Sequence, residues 1–279
     1  MPYTAEISRS NPSCLLFLID QSGSMGDLFG SGEATRRKCD GVADAINKLL
    51  QNLVIKCAKE EGIRDYFQVG VVGYGAAVGS AYGGQLAQRE LVPVSDIANL
   101  PARIEERKRK VEDGAGGLVE KAVRFPIWFD PIASGGTPMC QAFAKAMSVL
   151  ESWVLQHQNS FPPVVINITD GEATDGDPSA PAESIKKVRT GDGEALLFNL
   201  HISSAASAPV EFPDSEGGLP DQFAQLLFRM SSVLPAHIRD QARNEGYRVT
   251  EGSRGFVFNA DLVSLIKFLD IGTRPSNLR

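Results

Sequence analysis

Cys14 to Ile19 is an unbroken apolar run that stops at Asp20 and a Ser/Gly cluster. That is the pattern of a strand buried on both faces of a parallel sheet. The period then changes: Val42, Ile46, Leu49, Leu50, Leu53, Val54 and Cys57 recur at three- and four-residue spacing. This predicts an amphipathic helix that stops before Gly62, with that glycine as its C-cap. Tyr66 to Tyr74 reads as a second strand. From Pro138 to about His157, Phe143, Met147, Leu150 and Val154 fall on one stripe, a helix with Thr137 as N-cap and Pro138 at the first helical position. Val164 to Thr169 is another buried strand. Downstream the pattern predicts a short helix at 184–188, a strand at 194–201, helical stretches over 219–244, a strand at 255–258 and a closing helix at 261–269.

Strands alternating with helices predict a doubly wound, mostly parallel α/β sheet with helices on both faces. No Gly/Ser linker, internal repeat or low-complexity tract divides the series, so residues 1–279 read as one domain. Two stretches look inserted into it, at about 76–124 and 205–254. The first carries a charged segment, Arg103 to Lys110, read as a helix with a solvated face because its signs are mixed.

Composition narrows the function classes. The 279 residues are 43% hydrophobic and 22% charged, with a net charge of −6 and both signs scattered. No basic field favours nucleic acid or an anionic lipid surface, and no apolar run approaches the length of a membrane span. Met1 to Ile7 lacks the basic and apolar regions of a secretory signal, and Cys14, Cys39, Cys57 and Cys140 show no Cys-x-x-Cys. Buried free thiols in a cytoplasmic setting are expected.

Ligands of open α/β sheets bind at the carboxyl ends of the strands. After the first strand stands Asp20-Gln21-Ser22-Gly23-Ser24, where an extended loop would turn Asp20, Ser22 and Ser24 to one side. Ser134-Gly135-Gly136-Thr137-Pro138 places the Thr137 hydroxyl at a helix mouth, and Asp170-Gly171 follows a later strand. Five oxygen-bearing side chains from three loops, Asp20, Ser22, Ser24, Thr137 and Asp170, can therefore meet at one edge. All-oxygen coordination selects Mg²⁺, with Mn²⁺ or Ca²⁺ behind it, over zinc or copper. With two carboxylates against three neutral hydroxyls, such an ion keeps an appetite for one more anionic oxygen, which an Asp or Glu of a protein partner can supply. Asp27, Glu172, Asp175 and Asp177 crowd the same edge and read as solvated loop carboxylates.

At these positions the sequence resembles the von Willebrand factor A domain family, whose metal-ion-dependent adhesion site is Asp-x-Ser-x-Ser followed by a distant Thr and a distant Asp. Here they read Asp20, Ser22, Ser24, Thr137 and Asp170. The resemblance covers about Pro12 to Leu269 and implies a Rossmann-like sheet and a non-enzymatic module that binds protein partners through a divalent cation. The separation of Ser24 from Thr137 is longer than is usual in that family, and the loop from Gly26 to Gly32 is expanded. The run from Thr169 to Asp175 resembles bacterial intracellular members associated with tellurite resistance and stress signalling.

Rival readings have less behind them. Gly73-Tyr74-Gly75-Ala76-Ala77-Val78-Gly79 is a loose dinucleotide fingerprint after the wrong strand. Neither serine sits in Gly-x-Ser-x-Gly, and His157, His201 and His237 have no ligand spacing, although the strand end of His201 approaches the same edge. A metal-dependent phosphoesterase would want more carboxylates and a base. An adaptor for a AAA+ ATPase of chelatase or MoxR type is the alternative within the binding class. Because the site lies at the rim of the sheet, Asp170→Ala or Thr137→Ala is expected to weaken binding without unfolding the chain.

Overall fold

The computed structural model describes residues 3–29, 35–112, 118–202, 209–259, 267, 268 and 271. In chain order the main elements are β1 (Ser13–Asp20), α1 (Lys38–Cys57), β2 (Phe67–Tyr74), β3 (Val78–Ser80), β4 (Val92–Pro93) and α2 (Val94–Asn99). The hairpin β5 (Arg103–Glu112) and β6 (Leu118–Ile127) follows, then α3 (Met139–Gln156), β7 (Val164–Thr169) and α4 (Ser179–Lys187). The chain continues through β8 (Leu196–His201), β9 (Val210–Glu211), α5 (Gln222–Met230), α6 (Ala236–Asn244) and β10 (Phe256–Phe258).

One 8-stranded sheet runs in the order β9-β10-β8-β7-β1-β2-β3, with β4 also paired to β2. The pairs β2–β1, β1–β7, β7–β8 and β8–β10 are parallel, and the edge pairs β9–β10, β2–β3 and β2–β4 are antiparallel. Taken in chain order, the parallel strands lie second, first, third, fourth, fifth. This is a doubly wound α/β sheet whose strand order reverses between β1 and β7, the place where such sheets bind ligands.

The unbroken apolar runs have a direct cause. Leu15, Phe17 and Ile19 of β1 pack with Val42, Ile46, Leu50 and Leu53 of α1 on one face. Cys14, Leu16 and Leu18 pack with Phe143, Ala146, Leu150 and Trp153 of α3 on the other. A strand covered on both sides has no position to spare for a polar residue.

Two local expectations change, one gains detail and one is left untested. Arg103 to Lys110 is strand, not helix, paired in register with β6 from Ile127 to Glu120. Its charges carry no apolar stripe for a helix to bury, whereas β6 supplies Val123, Phe125 and Ile127. Arg107 lies over the Phe125 ring at 3.9 Å, and Lys108 meets Glu120 at 3.2 Å across the ladder. Gly62, at φ +115°, serves the turn between Ala58–Lys59 and Gly62–Ile63, and Ala58 is the C-cap of α1. The stretch 219–244 is two helices broken at Ser231 to Pro235, where Pro235 cannot continue a ladder. The closing helix expected at 261–269 lies outside the described residues except for Lys267 and Phe268, which are helical.

Beneath the carboxyl edge a buried polar chain crosses the sheet. Tyr74 Oη donates to Asn167 Oδ1 at 2.7 Å, Asn167 Nδ2 donates to Asn199 Oδ1 at 3.0 Å, and Asn199 Nδ2 donates to Ser231 Oγ at 3.0 Å. Asn167 and Asn199 are fully buried, so each link satisfies a group that water cannot reach. Asn167→Ala takes the donor from the Asn199 carbonyl and leaves the Tyr74 hydroxyl a 3.5 Å contact with the Ile168 carbonyl. It is expected to lower the urea midpoint by an amount equivalent to about 2–4 kcal/mol, whereas an unchanged midpoint would show that the chain contributes little.

Candidate metal centre

β1 delivers Asp20 as its last residue, 1% exposed. Its Oδ1 accepts the Ser22 backbone N–H at 2.8 Å, and its Oδ2 accepts the Thr169 hydroxyl at 2.7 Å. Ser22 is extended (φ −63°, ψ 166°), but the loop does not stay extended: Gly23–Gly26 closes a 3₁₀ turn. The turn still brings the Ser22 and Ser24 hydroxyls within 3.1 Å, and Ser24 Oγ donates to Asp170 Oδ1 at 2.8 Å. Asp20, Ser22, Ser24 and Asp170 thus form one contiguous oxygen cluster at the strand-order reversal.

Thr137 is buried at the same edge and is tied there through its backbone. Its N–H donates to Thr174 Oγ1 and its carbonyl accepts the Thr174 N–H, both at 2.9 Å. Among the described residues, no hydrogen bond joins its hydroxyl to the other four side chains. The 134–137 loop is seated on the first loop by Gly23 N–H to the Gly135 carbonyl (3.0 Å) and Ser134 N–H to the Gln21 carbonyl (2.7 Å). This contact explains one glycine of the dinucleotide-like run. A Cβ at Gly75 would lie 2.6 Å from the Gln21 carbonyl oxygen and 2.7 Å from that of Ser134. Gly135, at φ +82°, abuts the Ala76 backbone in the same junction.

Burial holds the Asp20 carboxyl above the usual carboxylate range, against the hydrogen bonds from Ser22 and Thr169 that favour its ionised form. A cationic neighbour missing from the sequence reading answers the charge of Asp170. Lys38 Nζ lies 2.8 Å from Asp170 Oδ2 and 3.9 Å from Asp27 Oδ2; the Lys38 side chain is 6% exposed and that of Asp170 0%. The signal was available: Lys38 opens α1, the end of a helix where a cation opposes the macrodipole. Because the Asp170 carboxylate is wholly buried against this ammonium, its removal is expected to lower stability as well as binding.

Two other carboxylates at the edge have structural tasks. Asp175 Oδ1 and Oδ2 accept the Cys140 and Gln141 N–H groups at 3.0 and 2.9 Å, capping α3 from a distant loop. The N-cap position itself is Pro138, and no Thr137 side-chain cap forms. Asp177 accepts the Ser179 N–H at 2.9 Å ahead of α4, and hydrogen bonding to the Ser179 side chain first, and to its backbone second, lowers its carboxyl below the usual range. Asp175→Ala should cost about 0.5–2 kcal/mol in thermal unfolding, as other cap removals do. No loss would mean that the Thr174 clasp alone holds the helix mouth.

Two of the three histidines stay outside the cluster. His157 packs on Trp153 at 4.7 Å and His237 on Phe161 at 5.6 Å. His201 does reach the same edge, opposite Thr169 in the ladder, but its ring stacks flat on Phe258 at 4.9 Å and burial pushes it toward the neutral form. Cys14, Cys39, Cys57 and Cys140 are free thiols, with Cys140 the least buried. No helix among the described residues is long and apolar enough to cross a membrane.

A divalent ion at this edge would be held by Asp20, Ser22, Ser24, Thr137 and Asp170. The donor set fits it: every donor is a hard oxygen, and the position already draws a cation, the Lys38 ammonium on Asp170. Beside the cluster, Gly171 and Glu172 border a cleft of about 400 Å³ whose apolar side is formed by Met139, Phe223, Leu227 and Met230.

No family model and no curated protein matches the chain. Among solved structures, the vWF domain of the type V pili tip protein Mfa5 from Porphyromonas gingivalis is 14% identical, with a TM-score of 0.33 over 58% of this chain and 39% of that one. Proximal thread matrix protein 1 from the mussel byssus, described with a zinc-occupied MIDAS motif, is 14% identical, with a TM-score of 0.39 over 70% of this chain and 37% of that one. A second crystal form of the mussel protein is 13% identical and gives 0.45 over 96% and 48%. The chain thus spans less than half the length of each. Likenesses this distant add nothing to what the strand order of the chain itself shows.

Proposed function

We propose that the chain is a metal-dependent protein-interaction module of the von Willebrand factor A type. A divalent cation, Mg²⁺ by donor chemistry, would sit on Asp20, Ser22, Ser24, Thr137 and Asp170 and accept a carboxylate from an acidic residue of a partner. The single observation that carries this reading is the convergence of Asp20, Ser22, Ser24 and Asp170 at the strand-order reversal, closed by the 2.8 Å bond from Ser24 to Asp170. When bound, the ion supplies an electrophilic anchor with an open position for an anionic oxygen.

The residues of the chain do the rest. Asp20 and Asp170 supply the negative charge, the serine hydroxyls supply neutral donors that leave the ion electron-poor, and the Thr174 clasp keeps Thr137 at the rim. The proposal includes no catalytic step, since the three histidines are engaged in ring packing rather than poised as a base. Its finer form, a bacterial intracellular role in stress signalling or complex assembly, is supported by the resemblance of the Thr169–Asp175 run.

Calorimetric titration of chelator-stripped protein with Mg²⁺, Mn²⁺ and Ca²⁺ tests the reading. The wild type should bind one ion, and an Asp20→Ala, Ser22→Ala variant none. Equal heats from both proteins would remove the ion from this edge, and turnover of a phosphoester that depends on Asp20 would favour an enzyme instead.

A further inference from the structure

We propose that Lys38 is a tethered cation that holds Asp170 in the ion-free chain and is exchanged for the divalent ion, passing from Asp170 to Asp27. The inference rests on the reading of the cluster as a metal centre and adds a residue that sets its affinity and selectivity.

Both oxygens of Asp170 are already taken. Oδ1 accepts the Ser24 hydroxyl and Oδ2 accepts the Lys38 ammonium, each at 2.8 Å. A hydroxyl can rotate its hydrogen away and offer a lone pair to an incoming ion, so Ser24 is no obstacle. An ammonium has only donors and a full positive charge. It cannot share a carboxylate with a dication at this separation without strong repulsion, least of all where the Lys38 side chain is 6% exposed.

The placement of Lys38 is costly twice over. It stands at the N-terminus of a 20-residue helix, where the backbone N–H groups already project positive charge, and it is buried, where an ammonium loses its hydration. Asp170 offsets both costs, and only while no other cation claims it.

A second seat lies ready. Asp27 Oδ2 is 3.9 Å from the ammonium, the Asp27 side chain is 67% exposed, and the Asp27 carbonyl accepts the Lys38 backbone N–H at 2.9 Å. The four-carbon stem of lysine can swing its head between the two carboxylates with the helix fixed. The exchange replaces a tethered single charge by a double one, so divalent ions displace Lys38 where Na⁺ and K⁺ do not. The released ammonium then stands at the rim, beside the position of a partner carboxylate.

The experiment is pulse acetylation of wild-type protein followed by peptide mass mapping, with and without Mg²⁺ at saturating concentration by calorimetry, and with KCl at matched ionic strength. Lys38 should be protected in the ion-free and KCl samples and acetylated about tenfold faster with Mg²⁺ bound, as it trades a buried seat for an exposed one. Lys38→Met should bind Mg²⁺ about tenfold more tightly than the wild type. If Lys38 stays protected while calorimetry shows one ion bound, the exchange is wrong and the metal centre stands. If the wild type binds no ion, both fall. A Lys38→Met chain that failed to fold would leave the acetylation result, which needs no variant, to decide.

Discussion

Replacing Asp170 with alanine lowers the unfolding free energy of the ion-free chain by about 3–5 kcal/mol, as the loss of one member of a buried ion pair generally does. The carboxylate 2.8 Å from the Lys38 ammonium is gone, and the ammonium either stays buried without it or swings to Asp27. Asp27 makes good only part of the loss, since a partner in high dielectric returns little of the desolvation cost. Urea denaturation of Asp170→Ala, Lys38→Met and the double variant reads the effect. The double variant, with neither charge, should recover most of the loss. A drop in the single variant below about 1 kcal/mol would mean that the pair behaves as a surface bridge.

Asp20→Asn acts in the opposite direction on stability and abolishes ion binding. The Asp20 carboxyl is raised above its ordinary 3.8 by burial, so the native chain holds that proton more tightly than the unfolded chain. Below the ordinary value both states are protonated and the residue is neutral to stability. As pH rises through the window between the ordinary and the raised value, the native state comes to carry a buried charge that the unfolded state carries in water, and stability falls. The amide is isosteric, can accept from Ser22 and donate to Thr169, and has no charge to bury. The ion-free variant should therefore exceed the wild type by about 0.5–2 kcal/mol at neutral pH and match it in strong acid. Unfolding free energies across pH, with calorimetry on the same samples, check both halves. A variant less stable than the wild type at neutral pH would show that the charged form is worth more to the native hydrogen bonds than its burial costs.

These two aspartates show what sequence alone conveys. The runs at Cys14–Ile19 and Val164–Thr169 announce strands covered on two faces, and chemistry read at their ends locates Asp20 and Asp170 because sheet topology brings carboxyl ends together. Periodicity is local, and so are the features it reveals. Lys38 meets Asp170 across 132 residues, and Asp175 caps Cys140 across 35. Neither partner leaves a mark on its own neighbourhood beyond a lysine placed against a helix dipole and a proline where a capping side chain was expected. Arg103 to Lys110 fails for the same reason, since its strand character is conferred by Val123, Phe125 and Ile127 on a segment that has to be found first. The Thr137 hydroxyl marks a further limit, because its place at the helix mouth was legible but not that its loop would be fastened through Thr174.

The β5–β6 hairpin leaves and re-enters the body of the protein at one point. Ala102 N–H reaches the Ile127 carbonyl at 2.8 Å, Gly83 N–H the Trp128 carbonyl at 2.7 Å, and both Asn47 side-chain atoms grip Trp128 and Phe129. Each strand runs ten residues, about 34 Å in length; Arg107 still rests on Asp44 of α1 at 2.8 Å, and within the ladder each strand pairs only with the other. Such an excursion is a cassette. It can lengthen, shorten or change its charge pattern in descent or by design while the loops carrying Asp20, Thr137 and Asp170 keep their places, so the gripping edge and the outlying arm are free to evolve on separate schedules.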